Sequence, residues 1–156
     1  MNFAGDEGLE WWPSGTIPAP LSIVWCAFPD HIFPEKPGPK NRPALVLAVR
    51  YAADPPDGRH LVRVVYGTSK LKSDTRPYDF AICNYGTRLV CRLPQGTRFD
   101  LDQVVWLPWA EPYFQPREGD DTPVISVLPH SVQQDFAWHM HYREKLGLNG
   151  HLRCSD

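Results

Sequence analysis

The sequence predicts a mainly β protein: a small barrel with a C-terminal helix and an N-terminal arm. Three observations predict it. Proline supplies 17 of 156 residues, about twice its usual share, and it fixes φ and removes a donor, which favours short elements between rigid turns over a helical bundle. Apolar residues come in short runs rich in Val, Ile and aromatics, bounded by Gly, Pro, Asn and Asp. Only near the C-terminus does the spacing become helical. A chain of this length buries one full core, and 42% apolar against 22% charged residues excludes wholesale disorder.

Residues 1–20, with Trp11, Trp12, Pro13, Pro18 and Pro20, carry no period of either kind and read as an arm. Residues 21–28 are β-branched and aromatic and stop at Pro29, as a buried strand would. The loop over 30–41 holds Pro34, Pro37, Gly38 and Pro39 together with Lys36 and Lys40; it is longer than a hairpin turn, and long loops often carry function. Runs 43–51 and 60–66 flank Asp54-Pro-Pro-Asp-Gly58 and predict a hairpin. Alternation places Val62, Val64, Tyr66 and Thr68 on one face and Arg63 on the other. Further short strands are predicted over 79–83, 87–91 and 104–107.

Ser131 followed by Gln134 has the form of a capping box, Val132, Phe136 and Met140 repeat every four residues, and Gly147 is placed to stop the helix. The expected organisation is therefore an arm over 1–20, a barrel over 21–128, and a helix and tail over 129–156 within the same single domain.

No apolar run approaches the roughly 18 residues that cross a bilayer. The N-terminus has Asp6, Glu7 and Glu10 but no Lys or Arg before Lys36, the reverse of a signal peptide, so a cytoplasmic protein without membrane contact is expected. Cys26, Cys83, Cys91 and Cys154 form no CxxC pair and are expected as free thiols. Charge is unevenly divided. Residues 1–35 hold five acids and no base, residues 36–92 hold 11 bases and four acids for a net +7, and residues 93–156 return to −4. A basic middle suits an anionic ligand, although sequence blocks need not become surface patches.

Three stretches in order carry a resemblance: Ser22-Ile-Val-Trp-Cys-Ala-Phe-Pro29, Pro37-Gly-Pro-Lys-Asn-Arg-Pro-Ala-Leu-Val-Leu47 and Val65-Tyr-Gly-Thr-Ser-Lys70. The chain resembles the PemK/MazF family of toxin proteins over roughly residues 21–114. Its first strand opens on Leu21-Ser22 in place of the family's usual Gly-Asp. The resemblance implies an SH3-like barrel, a homodimer, and a growth inhibitor that cuts single-stranded RNA as a metal-independent endoribonuclease while a cognate antitoxin protein restrains it. Matched by position, it implies catalytic roles for Arg42 and Thr68, with Ser69 beside them.

The residue types suit that chemistry. Cleavage by a neighbouring 2′-hydroxyl needs a base, donors for the phosphorane oxygens and a proton for the leaving 5′-oxygen. A guanidinium such as Arg42 stays charged and grips phosphate with a planar fork; the plainer alternative is a surface ion pair at a strand start. Thr68 and Ser69 bring hydroxyls beside Lys70 and Lys72, which is also ordinary turn chemistry. His31 and Asp74 are the candidate bases, and Lys36, Lys40, Lys70 and Lys72 the candidate RNA contacts. Tyr85, Trp109, Tyr113 and Phe114 lie near element ends where bases could stack. His139 and His141 point about 200° apart on a helix, and with His130 and His151 they form no ligand pattern, so neither metal nor cofactor is expected. A non-catalytic SH3-like module binding nucleic acid or protein is the alternative function, and a purely structural barrel a third.

Overall fold

The structure is a computed structural model, and it describes residues 8–30, 35–71 and 78–153. Strand β1 (Glu10–Trp11) is followed by a 3-10 turn at Ser14–Thr16 and then by β2 (Ser22–Cys26), β3 (Arg42–Tyr51), β4 (His60–Thr68) and β5 (Phe80–Ile82). A short helix α1 (Tyr85–Val90) leads to the long β6 (Thr97–Pro108), then β7 (Ala110–Glu111), β8 (Val124–Val127), α2 (His130–Lys145) and α3 (Gly150–Arg153). Six strands make one curled antiparallel half-barrel sheet in the order β5-β6-β4-β3-β2-β8, and β1 pairs with β7 in a second, two-stranded sheet. The molecule is mainly β with a C-terminal helix, as the sequence predicts.

The central hairpin follows from its turn. Gly58 takes φ +90°, where a side chain would be strained, and Tyr51 faces His60 across the closing pair. From there β3 and β4 run together as far as Ala44 and Tyr66, which carries Arg42 and Thr68 to the same, open end of the hairpin.

Both faces of the sheet are buried, which is why its strands read as continuous apolar runs. On one face Ile23, Leu45, Val65, Phe99 and Leu101 receive Val132 and Phe136 from α2. On the other, Val24, Val46, Val62, Val64 and Leu107 pack with Trp109, Tyr113 and Phe114, and Leu9, Trp12 and Ile17 of the N-terminal segment close over them. Two indole donors pin that segment: Trp12 Nε1 donates to Phe114 O at 2.9 Å and Trp109 Nε1 to Thr16 Oγ1 at 3.1 Å. From residue 8 onward the expected arm is thus part of the core's cover.

Other expectations are corrected in the same way. Residues 87–91 were expected as a strand, but Asn84 Oδ1 accepts the Thr87 amide and caps α1, so local side-chain chemistry wins over β-branched composition. The strand expected over 104–107 is the end of the twelve-residue β6, whose polar first half is kept in the sheet by Arg98 pairing with Asp79 and by Asp100 accepting from the Asp102 amide. Ser131 is no cap: the N-cap position is Pro129, two residues earlier, and the Gln133 side-chain amide donates to Leu128 O. Gly147 does end the helix region, at φ +74°. Strand β8 carries no signal that the sequence reading used; it completes the sheet beside β2.

Helix α2 is fastened by Arg143, which is 1% exposed. Its guanidinium donates to Asn149 Oδ1 at 2.9 Å, Tyr78 O at 3.2 Å, Asp102 Oδ1 at 3.0 Å and Leu148 O at 3.3 Å. A buried charge satisfied on this scale is structural.

Candidate functional site

The open end of the hairpin forms a pocket of about 230 Å³ lined by Trp25, Lys40, Asn41, Arg42, Gly67, Thr68, Ser69, Gln95 and Arg117, among others. Backbone geometry builds it. A Cβ on Gly67 would lie 2.2 Å from Pro43 O, so only glycine lets β4 pass this close to β3 beneath the pocket. Gly38 does the same for the loop: its amide donates to Ala27 O at 3.0 Å, and a Cβ there would meet Phe28 O at 2.0 Å. That contact holds the segment leading to Lys40 against the end of β2.

Arg42 is half-buried, with its guanidinium 5.7 Å from the centre of the Tyr66 ring, and the guanidinium makes no hydrogen bond or ion pair with any described residue. Thr68 is 2% exposed, and its Oγ1 accepts the Lys70 amide at 3.1 Å. With that lone pair used, the hydroxyl still has its proton to donate. Asn41 Oδ1 is sealed from solvent without a donor among the described residues, an acceptor held ready at the pocket wall.

The structure therefore gathers Lys40, Arg42, Thr68 and Ser69 in one pocket, and leaves Lys36 and Lys70 exposed outside its lining. Three further nominated residues, His31, Asp74 and Lys72, lie outside the described residues. No histidine or carboxylate is among the described residues that line the pocket. Arg117 was not found from sequence. It comes from the acidic C-terminal third and an irregular segment, donates to Arg92 O at 2.9 Å, and still borders the pocket, a placement no local pattern encodes.

Among the described residues, much of the basic middle is spent on partners within the chain. Arg59 pairs with Asp57 and Arg92 with Asp120, Arg88 donates to Pro94 O, and Arg63 donates to His151 O and Leu152 O. Of the proposed stacking aromatics, Trp109, Tyr113 and Phe114 are at most 1% exposed because the N-terminal segment covers them, while Tyr85 is exposed.

Two other groupings bear on chemistry. Asp79, Asp100 and Asp102 bring carboxylate oxygens within 4.8 Å of one another. Arg98 and Arg143 pair with the outer two, and Asp100 accepts from the Asp102 amide and Gln103 Nε2, which accounts for the cluster as a strand-bracing network. A larger hollow of about 420 Å³ at the turn end of the hairpin, against Arg50, Tyr51 and Asp54, gathers none of the nominated residues.

Cys26 is fully buried and its thiol is pushed far above its usual range by desolvation; burial raises Cys91 too, whereas Cys83 is an exposed free thiol. No helix among the described residues is long and apolar enough to cross a membrane. No protein-family model matches the chain, and no curated protein matches it.

Proposed function

We propose that the chain is a toxin-type endoribonuclease that cuts single-stranded RNA without metal, the activity implied by its resemblance to the PemK/MazF family. The observation that carries this reading is the convergence of Arg42 and Thr68, 26 positions apart in sequence, on one pocket with Ser69 and Lys40. A scissile phosphate set there meets a fork of guanidinium donors from Arg42 and hydroxyl donors from Thr68 and Ser69. As the 2′-hydroxyl attacks, negative charge grows on the non-bridging oxygens, and a fixed guanidinium meets it better than water can. Bond formation between the 2′-oxygen and phosphorus expels the 5′-oxygen, leaving a 2′,3′-cyclic phosphate and a 5′-hydroxyl. The proton leaving the 2′-oxygen goes to a base, for which His31 and Asp74 stand as the candidates, and the expelled 5′-oxygen takes its proton from solvent water. A homodimer would lengthen the groove, and a cytoplasmic antitoxin would occupy it.

Incubation with single-stranded RNA in EDTA tests the reading. Products ending in cyclic phosphate are expected, and cleavage no faster than that of Arg42→Ala would overturn it. One observation favours a second reading, a non-catalytic nucleic-acid module: the described lining holds cations and hydroxyls but no histidine or carboxylate. Steeply salt-dependent RNA binding with no product would identify that case.

A further inference from the structure

Tyr113 is 1% exposed within the core, so the base-stacking role suggested by its place in the sequence is closed to it. Its carbonyl and its hydroxyl instead reach the segment that carries Lys40. The Tyr113 carbonyl accepts the Ala27 amide at 2.8 Å, and the Ala27 carbonyl in turn accepts the Gly38 amide at 3.0 Å. At the far end of the ring, the Tyr113 hydroxyl donates to the Glu35 carbonyl oxygen, 78 positions away in sequence. Burial, and then the nearby Glu35 charge, hold the phenol above its ordinary range, so it stays protonated and a donor at neutral pH. One residue thus anchors the loop twice, directly at Glu35 and through Ala27 at Gly38.

The stretch between these anchors and the pocket is stiff. Pro37 and Pro39 flank Gly38; each fixes its own φ and restricts the residue before it, which leaves few soft dihedrals between Glu35 and Lys40. A stiff segment passes the position of its anchored end on to its other end. Lys40 is exposed and borders the Arg42–Thr68 pocket. A lysine on an unanchored loop would lose backbone as well as side-chain freedom on meeting a phosphate, and fixing the backbone beforehand removes part of that cost. Arg42 is held differently, by the β2–β3 register that pairs it with Cys26.

We propose that Tyr113 is a positioning residue for RNA binding: its buried hydroxyl holds the loop over 35–40 so that Lys40 meets the RNA backbone at the Arg42–Thr68 pocket. The RNA contact rests on the proposed RNA reading, whereas the tether is a property of the free chain.

Tyr113→Phe keeps the ring and removes the hydroxyl. Glu35 is exposed, so water satisfies its carbonyl, and the melting temperature should fall by no more than about 5 °C. In hydrogen exchange of the free full chain, the substitution should speed the Gly38 amide about tenfold more than the Val64 amide of β4. The second measurement is a double-mutant cycle with Lys40→Ala, using a 2′-O-methyl RNA oligonucleotide that has no 2′-hydroxyl to attack. Loss of the hydroxyl should weaken binding about fivefold in wild type and less than about 1.5-fold in the Lys40→Ala background. A merely structural loss would weaken both backgrounds equally. On unmodified RNA, KM should rise by the same factor with kcat within about twofold. Gly38 exchange that rises only in step with Val64, equal affinity losses in both backgrounds, or a fall in kcat at unchanged KM would each overturn the proposal. Failure of the RNA reading looks different: wild type itself would bind no oligonucleotide. That result overturns the role of Tyr113 in RNA binding as well, while Gly38 exchange still reports the tether.

Discussion

Arg143 and Arg42 are the same side chain in opposite circumstances. Arg143 is 1% exposed and divides its donors among four acceptors, three of them from the α2–α3 region and the neighbouring Tyr78, the fourth from Asp102 on β6. Arg42 stands half-buried at the start of β3 with the Tyr66 ring beside it and no hydrogen-bond acceptor among the described residues. Desolvating a guanidinium is costly unless its donors are satisfied, so the first arrangement is a brace that the fold requires. The second leaves its fork without an acceptor among the described residues, as the proposed phosphate contact requires. Most arginines of the basic middle resemble Arg143 more than Arg42, since Arg59, Arg63, Arg88 and Arg92 are each bonded to carboxylates or carbonyls of the chain. Net charge along a sequence counts both kinds alike; only their partners separate them.

The largest expected effect tests the brace. Arg143→Met should lower unfolding free energy by about 3 kcal/mol, since it strands the acceptors around the site. Arg42→Ala should change it by no more than about 0.5 kcal/mol. Urea denaturation of the two variants measures both, and equal losses would erase the distinction. Cleavage should show the opposite ranking. Arg42→Ala is expected to reduce the rate by about 10²–10³-fold, as loss of a group that stabilises an oxyanion does, and Arg42→Lys should restore little because an ammonium lacks the planar fork. A variant with Lys at near-normal rate would show that Arg42 supplies charge alone.

The contrast also explains what could be read beforehand. The hairpin, the buried strand at β2 and the face of α2 were legible because each depends on local signals: turn residues at Asp54 and Gly58, a β-branched run, and the four-residue repeat of Val132, Phe136 and Met140. The placement of Arg42 and Thr68 at one end of the hairpin followed from the same register. Residues 87–91 were misread and the first half of β6 went unread because their outcome depends on a single cap, Asn84, or on partners far away. Burial of Trp109, Tyr113 and Phe114 was invisible because the covering residues, Trp12 and Ile17, lie about a hundred positions earlier in an aperiodic segment. Arg117 entered the site from a segment with no pattern at all.

The wall of the pocket offers the next effect. Gly67→Ala sets a methyl against Pro43 O and the Phe99 ring, and should cost about 1–3 kcal/mol as an overpacked core does. It should also damage RNA cleavage by spreading β3 from β4, although it removes no chemical group. A destabilised but fully active variant would mean that the spacing of Arg42 and Thr68 is not what matters. Smaller still is the difference between two lysines. Lys40 borders the Arg42–Thr68 pocket and Lys70 does not. Lys40→Ala should flatten the slope of log affinity against log salt by about 0.7, the value of one phosphate contact to a single strand, while Lys70→Ala should flatten it less. Equal slopes would return the binding face to the whole basic segment.

The smallest effects lie in the acid range, and they separate two carboxylates that both face arginines. Asp120 is held below the usual carboxylate range, first by its hydrogen bond from Arg92 and then by the charges of Arg92 and Arg117. Its folded pKa is depressed, so its contribution to stability is present above the unfolded value of about 4 and is lost as pH falls through the folded one. Asp79 runs the other way, because desolvation outweighs the Arg98 hydrogen bond and the nearby Asp100 adds repulsion, so its carboxyl is raised. The native state then holds the Asp79 proton to higher pH than the unfolded chain does, and stability from this group declines as pH rises from about 4 through the folded pKa. Measured against wild type, the stability deficit of Asp120→Asn should therefore shrink as pH drops below about 4. For Asp79→Asn the deficit should instead be largest at the acid end of the window and smaller above it. Deficits that move together with pH would mean that burial of Asp79 against the β5–β6 pair does not govern its proton.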